Sequence, residues 1–225
     1  MTFRGLLLAA ALGSASASCT APAAAENFVA APAAMRQSAE SGGLKTAIFA
    51  GGCFWGVEAV FSHMKGVTSA VSGYHGGTER AAKYDVVSSG VTDHAEAVKV
   101  TYDPKIVRYD ELLRVFFSVV ADPTLRNRQG PDVGPQYRAA LVPVSAEQNA
   151  VARAYLAQMK ASRLWKAPIV TGIERAQGFY PAEAYHQDFA LKNPNHGYIK
   201  RWDAPKVAAL QRLYPGLYRA SFQRN

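Results

Sequence analysis

Ala50-Gly51-Gly52-Cys53-Phe54-Trp55-Gly56-Val57-Glu58 is the stretch from which the fold and the chemistry are both read. The apolar run Thr46–Ala50 before it predicts a strand. Val60, Phe61 and Met64 after it lie at helical spacing. The two glycines suit a sharp turn between the two elements. Cys53 then stands at or just before a helix N-terminus, where free N–H groups and the positive end of the macrodipole favour an anion. That position predicts a thiol of lowered pKa. With Phe54 and Trp55 beside it, the sulfur suits an apolar group that carries an electrophilic centre.

Upstream, residues 1–25 have the form of a secretory signal. Arg4 supplies a minimal positive start, and Leu6–Leu12 an apolar core too short to stay in a bilayer as a helix. Three processing routes stay open: cleavage after Ala25, cleavage after Ala17, and lipoprotein processing at Cys19. Each predicts an exported protein, periplasmic or secreted. Residues 26–44 are rich in Ala, Ser, Gly and Pro without periodicity and predict a flexible linker. The catalytic domain is then expected over residues 45–225.

Downstream, Val67–Tyr74 and Ala95–Tyr102 predict strands with no helix between them, so an antiparallel pairing is easy. Asp110 is placed to cap a helix through Leu112, Leu113, Phe116 and Phe117. Asp122–Gly134 predicts a long polar loop, and such loops are often functional. A strand over Tyr137–Val144 follows, then a capping-box helix from Ser145 and a strand over Ile169–Ile173. Aromatic-rich loops lead to a last helix that starts at Asp203-Ala204-Pro205. Strands and helices mix without strict alternation. This predicts an α+β fold, a two-layer sandwich with a mixed, largely antiparallel sheet on a ferredoxin-like core, and long C-terminal loops.

The chain of 225 residues carries a formal charge of +8, with 49% hydrophobic and 19% charged residues, as a globular domain does. Lys and Arg are scattered without a run of five or six, so the expected surface is generally basic and no nucleic-acid partner is expected. Only two cysteines occur, Cys19 and Cys53, which excludes a disulfide framework and a multi-cysteine metal site. The loop Gln129–Tyr137 lacks a Lys-Ser/Thr after its glycines and a His or Cys cluster, so neither phosphate nor metal binding follows. His186, Asp188 and His196 read as structural hydrogen-bonders. Two readings stay open for each remaining candidate. Cys53 is a nucleophile or a small buried hydrophobe. Glu96 is a solvated strand end or a buried general acid. His94 is a base for Cys53 or a structural ring.

The quoted motif resembles the signature of the A-type peptide methionine sulfoxide reductases. The likeness continues through Val71-Ser72-Gly73-Tyr74-His75-Gly76-Gly77, Lys83-Tyr84 and His94-Ala95-Glu96-Ala97-Val98. It runs on through Arg128-Gln129-Gly130, Asp132, Gly134, Gln136-Tyr137-Arg138, Tyr185-His186-Gln187-Asp188-Phe189 and Asn193-Pro194. It covers about residues 45–208. The resemblance implies reduction of the S epimer of methionine sulfoxide, free or in proteins, to methionine. Carried over by motif, Cys53 attacks the sulfoxide sulfur and Glu96 protonates the departing oxygen. Tyr84 and Tyr137 hydrogen-bond that oxygen, Asp132 orders the loop, and Phe54 and Trp55 hold the S-methyl group. His75, Asp93, Pro131 and Ala139 depart from the family's usual residues. The largest departure is the lack of a resolving cysteine from Tyr198 to Asn225. No cofactor is then needed, but an external reductant is: a thioredoxin, a glutaredoxin or a small thiol. Oxidised proteins or peptides are the expected substrates of a monomer held to no membrane beyond a lipid anchor at Cys19. A thiol peroxidase and a non-catalytic binding module are the alternative functions.

Overall fold

β1 (Lys45–Gly51) runs into the turn at Cys53, and α1 (Phe54–Ser62) leaves it. They belong to a computed structural model that describes Met1 and residues 28–224. The expected leader, Cys19 included, lies outside the described residues but for Met1. β2 (Val67–His75), α2 (Tyr84–Val87) and β3 (Ala95–Tyr102) come next. α3 (Tyr109–Val115) continues as a wide turn over Phe116–Val120. The polar loop holds two short paired strands, β4 (Arg128–Gln129) and β5 (Asp132–Val133). Then come β6 (Ala139–Val142), α4 (Ala146–Ser162), β7 (Gly172–Ile173) and β8 (Phe179–Pro181). α5 (Phe189–Lys192) and α6 (Ala204–Leu213) close the chain.

The main sheet has the strand order β7-β6-β1-β3-β2-β8. Every pairing is antiparallel except β6 with β7, which is parallel. The inner four strands, with α1 after β1 and α3 after β3, form the expected ferredoxin-like core. The expected pairing of β2 with β3 is present and sets Tyr74 opposite Glu96. Side-chain alternation gives each face its own packing. On the helical face, Phe49 stacks on Phe61 at 4.8 Å and on Phe116 at 5.7 Å, deep in the main core. Burying a side chain of that size stabilises by about 1.5–3 kcal/mol. The other face carries only a thin layer of Ile48, Ala50, Ala95, Ala97, Ala140 and Val142.

Local signals explain most boundaries. Ser145 Oγ accepts from the Gln148 N–H at 3.1 Å, as the capping pattern predicted. The helix expected to be capped by Asp110 begins two residues earlier, because Arg108 is the N-cap and its N–H donates to Glu111. Asp110 accepts instead from the Ser38 N–H (2.9 Å) and from the Arg108 guanidinium. The strand expected over Tyr137–Val144 shrinks to β6 because Pro135–Tyr137 forms a tight helical turn.

The flexible linker expected up to Leu44 is corrected for the described residues 28–44. They form an extended strap across the helical layer. The Val29 N–H donates to Ser118 O, and Arg114 Nε donates to Ala31 O. Tyr155 Oη donates to Pro32 O at 2.7 Å, and Gln158 Nε2 to Ala33 O at 2.8 Å. Glu40 receives the Tyr102 hydroxyl and the Gln148 amide. Ala31 is fully buried. The partners sit far along the chain, so no local periodicity announced them. No helix of the described residues is long and apolar enough to cross a membrane.

Candidate active site

Cys53 is the N-cap of α1, where the sequence placed it, and is half-buried. Gly52 makes the turn with φ +92°, and a Cβ there would meet Gln129 Cβ at 2.5 Å. Glycine is therefore required both by conformation and by the close approach of the polar loop. The buried Gln129 pins that loop in turn: its Oε1 accepts from the Asp122 N–H, and its Nε2 donates to Asp122 O, both at 2.9 Å.

The first free N–H of α1, that of Phe54, donates to Glu96 Oε2 at 3.0 Å. Glu96 is 2% exposed on the helical face of β3. Burial pushes its carboxyl up to about 8, against the pull of the Phe54 N–H, with Asp132 and Asp203 adding to the rise. No ion pair to Glu96 occurs among the described residues. Of its two readings, the buried acid is the one present.

The expected lowering of the Cys53 pKa is overturned. Burial raises it, and the carboxylates of Glu96, Asp203 and Asp132 add to the rise, against a smaller opposing pull from the Trp55 N–H. The helix end that was to favour a thiolate is shared with acids. Asp203 Oδ1 lies 2.3 Å from where a Cβ on Gly56 would stand, so Asp203 packs against the first turn of α1 and only glycine fits there.

Tyr84, Tyr137 and Asp132 gather around the same sulfur. Burial first, then Glu96 and Cys53, raises the pKa of Tyr84. Burial, Glu96, Asp132 and Cys53 do the same to Tyr137. Both hydroxyls thus stay protonated donors at neutral pH. Gln136, fully buried beside Tyr137, donates to Ser88 O at 2.9 Å and ties the Tyr137 turn to the segment after α2. The Tyr84 N–H is held by Glu183 Oε1 at 2.9 Å, and Glu183 Oε2 accepts the Tyr74 hydroxyl at 2.8 Å. Asp132 receives the Tyr198 hydroxyl, and burial raises its pKa.

The two aromatics after Cys53 differ. Phe54 is 1% exposed, packed on Tyr74 at 5.9 Å and His186 at 4.9 Å, and forms the floor. Trp55 is half-buried and forms the wall, stacked on Phe189 at 3.7 Å with Tyr198 edge-on at 5.8 Å. The Trp55 indole N–H donates to His186 Nδ1 at 3.1 Å, which fits the structural reading of His186. His94 is not a base for Cys53: its ring meets Thr92 Oγ1 at 3.2 Å and lies against Gly77. Among the described residues no His, Cys, Asp and Glu cluster could hold a metal.

Sequence reasoning missed Tyr198, Asp203, Phe189 and Glu183. In the sequence Asp203 signals only a helix start, and Tyr198 only a stretch without cysteine. Their contribution arises where the C-terminal loops fold back over α1.

A family model described as peptide methionine sulfoxide reductase matches residues 45–215. Peptide methionine sulfoxide reductase MsrA 2 of Mesorhizobium japonicum is 53% identical over 176 residues, covering 78% of this chain and 90% of that one. The MsrA of Deinococcus radiodurans is 49% identical over 168 residues, covering 75% and 81%. Among solved structures, reduced Mxr1 from Saccharomyces cerevisiae matches with a TM-score of 0.61 at 32% identity, covering 78% of this chain and 94% of that one. Methionine sulfoxide reductase A of Corynebacterium diphtheriae matches with a TM-score of 0.58 at 32% identity, covering 69% and 78%.

Proposed function

The chain belongs to the peptide methionine sulfoxide reductase family, and from that premise we propose that it reduces the S epimer of methionine sulfoxide through a sulfenic acid on Cys53. The observation that carries this reading is Glu96: a buried carboxyl with no ion pair among the described residues, held at the N-terminus of the helix that Cys53 caps. A sulfoxide oxygen leaves poorly until it is protonated, so thiol attack needs an acid close by that still holds its proton at neutral pH.

The substrate's S-methyl group lies on Trp55 above Phe54, and its oxygen points at Glu96, Tyr84 and Tyr137. Cys53 Sγ forms a bond to the substrate sulfur as Glu96 delivers its proton to the oxygen. The two tyrosine hydroxyls stabilise the charge that grows there. The S–O bond then breaks, the oxygen bonds to Sγ as the Sγ–S bond breaks, methionine leaves with that bond's electron pair, and Cys53 is left as a sulfenic acid. The Cys53 thiol proton restores Glu96, so atoms and electrons balance without a cofactor. Asp132, held by Tyr198, keeps the polar loop in place.

Recycling requires two external thiols, which reduce the sulfenic acid to the thiol, release water and become a disulfide. Cys53 and Cys19 are the only cysteines of the chain. Removal of the leader takes Cys19 from the body, or leaves it as a lipid-anchored terminus. The reductant is a thioredoxin-like or small thiol, and the setting is the cell exterior or periplasm, as residues 1–25 suggest.

The test is an epimer-resolved assay on the mature protein with racemic methionine sulfoxide and dithiothreitol. Loss of the S epimer alone is expected. Loss of the R epimer alone, or of neither, overturns the reading. An intact mass after oxidation without reductant should show a sulfenic acid or a mixed adduct.

A further inference from the structure

Arg138 directly follows the turn that ends at Tyr137 and, in extended backbone leading into β6, has the parity of Ala140 and Val142, which lie on the outer face of the sheet. On the outer face every one of its five N–H donors finds an acceptor. Nη1 donates to Pro135 O at 3.0 Å and to His94 O at 3.1 Å. Nη2 donates to Asp93 O at 3.0 Å and to Glu174 Oε2 at 3.2 Å. Nε donates to Glu174 Oε1 at 2.7 Å. A guanidinium has five donors in a rigid planar fork, and here none is spare.

The acceptors belong to two segments of the reaction site. Pro135 opens the turn that carries Tyr137. Asp93 and His94 lead into β3, two residues before Glu96. Glu174 orients the fork from just past β7 and sits 3.5 Å from Nδ1 of His75. His75 is buried opposite Ala95 and accepts the Gln177 N–H. His75, one of the departures from the family pattern, thus belongs to the same cluster.

We propose that Arg138 is a positioning residue that fixes the spacing between Tyr137 and Glu96 from the far side of the sheet, with Glu174 holding its fork. It rests on the roles given above to those two residues. A misplacement of about 1 Å in such a pair can cost about 100-fold in rate. A lysine cannot replace it, because one ammonium has three donors and no fork.

The experiment uses the full mature chain. Arg138→Ala, Arg138→Lys and Glu174→Gln are made alone and in the Tyr137→Phe background. The measurements are kcat, KM and the unfolding midpoint, with peptide methionine sulfoxide and dithiothreitol. Arg138→Ala should lower kcat by about 100-fold with KM nearly unchanged. Arg138→Lys should recover little of it, and added guanidinium ion should recover part of it in Arg138→Ala. In the Tyr137→Phe background the same change should cost far less, since residues that act together are not additive. An additive cycle, or full rescue by lysine, overturns the proposal. If Arg138→Ala does not fold, Glu174→Gln decides: an unchanged kcat overturns the proposal, and a lowered kcat with unchanged KM supports it. A wild-type chain that reduces no sulfoxide would sink the proposed function instead, so the two failures are told apart.

Discussion

Glu96 and Glu174 are two glutamates on opposite faces of one sheet, and their surroundings drive them apart. Glu96 lies among apolar and acidic groups, and burial lifts its carboxyl to about 8. Glu174 is also penalised by burial, yet hydrogen bonds and charge from His75 and Arg138 bring it down to about 2. The helical face thus keeps a proton ready for transfer, while the outer face keeps a permanent anion that clamps an arginine. Neighbours, not residue type, divide the labour.

The contrast can be broken most severely at the inner pocket. Cys53→Ser removes the nucleophile, and sulfoxide turnover should fall to the buffer blank in the epimer assay. Glu96→Gln preserves an acceptor for the Phe54 N–H but has no acidic proton. Its kcat should fall by roughly 100- to 10,000-fold, with little change in KM. In the wild type, the Glu96 proton is lost as pH rises through about 8, so kcat should decline above that pH. A flat profile to pH 10 would assign the acid elsewhere. Tyr84→Phe and Tyr137→Phe each remove one donor to the oxygen, and each should cost less than Glu96→Gln.

Beyond its effect on kcat, the outer cluster gives a smaller effect on stability. The folded-state value of Glu174 lies below its ordinary value, so the folded chain binds fewer protons than the unfolded chain between about 4.5 and 2. Its stabilisation is complete above that window and is lost as pH falls through it. Glu174→Gln should therefore flatten the acid limb of an unfolding curve and, at pH 7, cost on the order of 1 kcal/mol. For Glu96 the sign is opposite: the folded chain holds the extra proton, so its burial weakens the fold as pH rises from about 4.5 to 8. Glu96→Gln should remove that slope.

Much of this was legible because it is written locally. The alternation of Ala95–Tyr102, the Gly51-Gly52-Cys53 turn and the Ser145 cap all act within a few residues, and each stands where it was read. Cys53 and Glu96 stand out by their own positions, Tyr84, Tyr137 and Asp132 only through the resemblance, and the five, separate in sequence, are neighbours in the fold. The thiol pKa was misjudged because a helix terminus is visible in sequence, whereas the acids that share it are not. Asp203 reaches Gly56 only after the C-terminal loops close. The strap was misjudged for the same reason: its acceptors are ordinary carbonyls, and the residues that bind them lie in distant helices.

The strap also sets an order of events. The carbonyl of Ala31 accepts from Tyr214 Oη, 183 residues along the chain, and from Arg114 Nε, 83 residues along. Pro32 and Ala33 await Tyr155 and Gln158. Contacts of such long sequence separation form late, because closing the loop costs entropy before any contact rewards it. The first stretch of the folded body to be synthesised is therefore among the last to find its place, after Tyr214 has emerged.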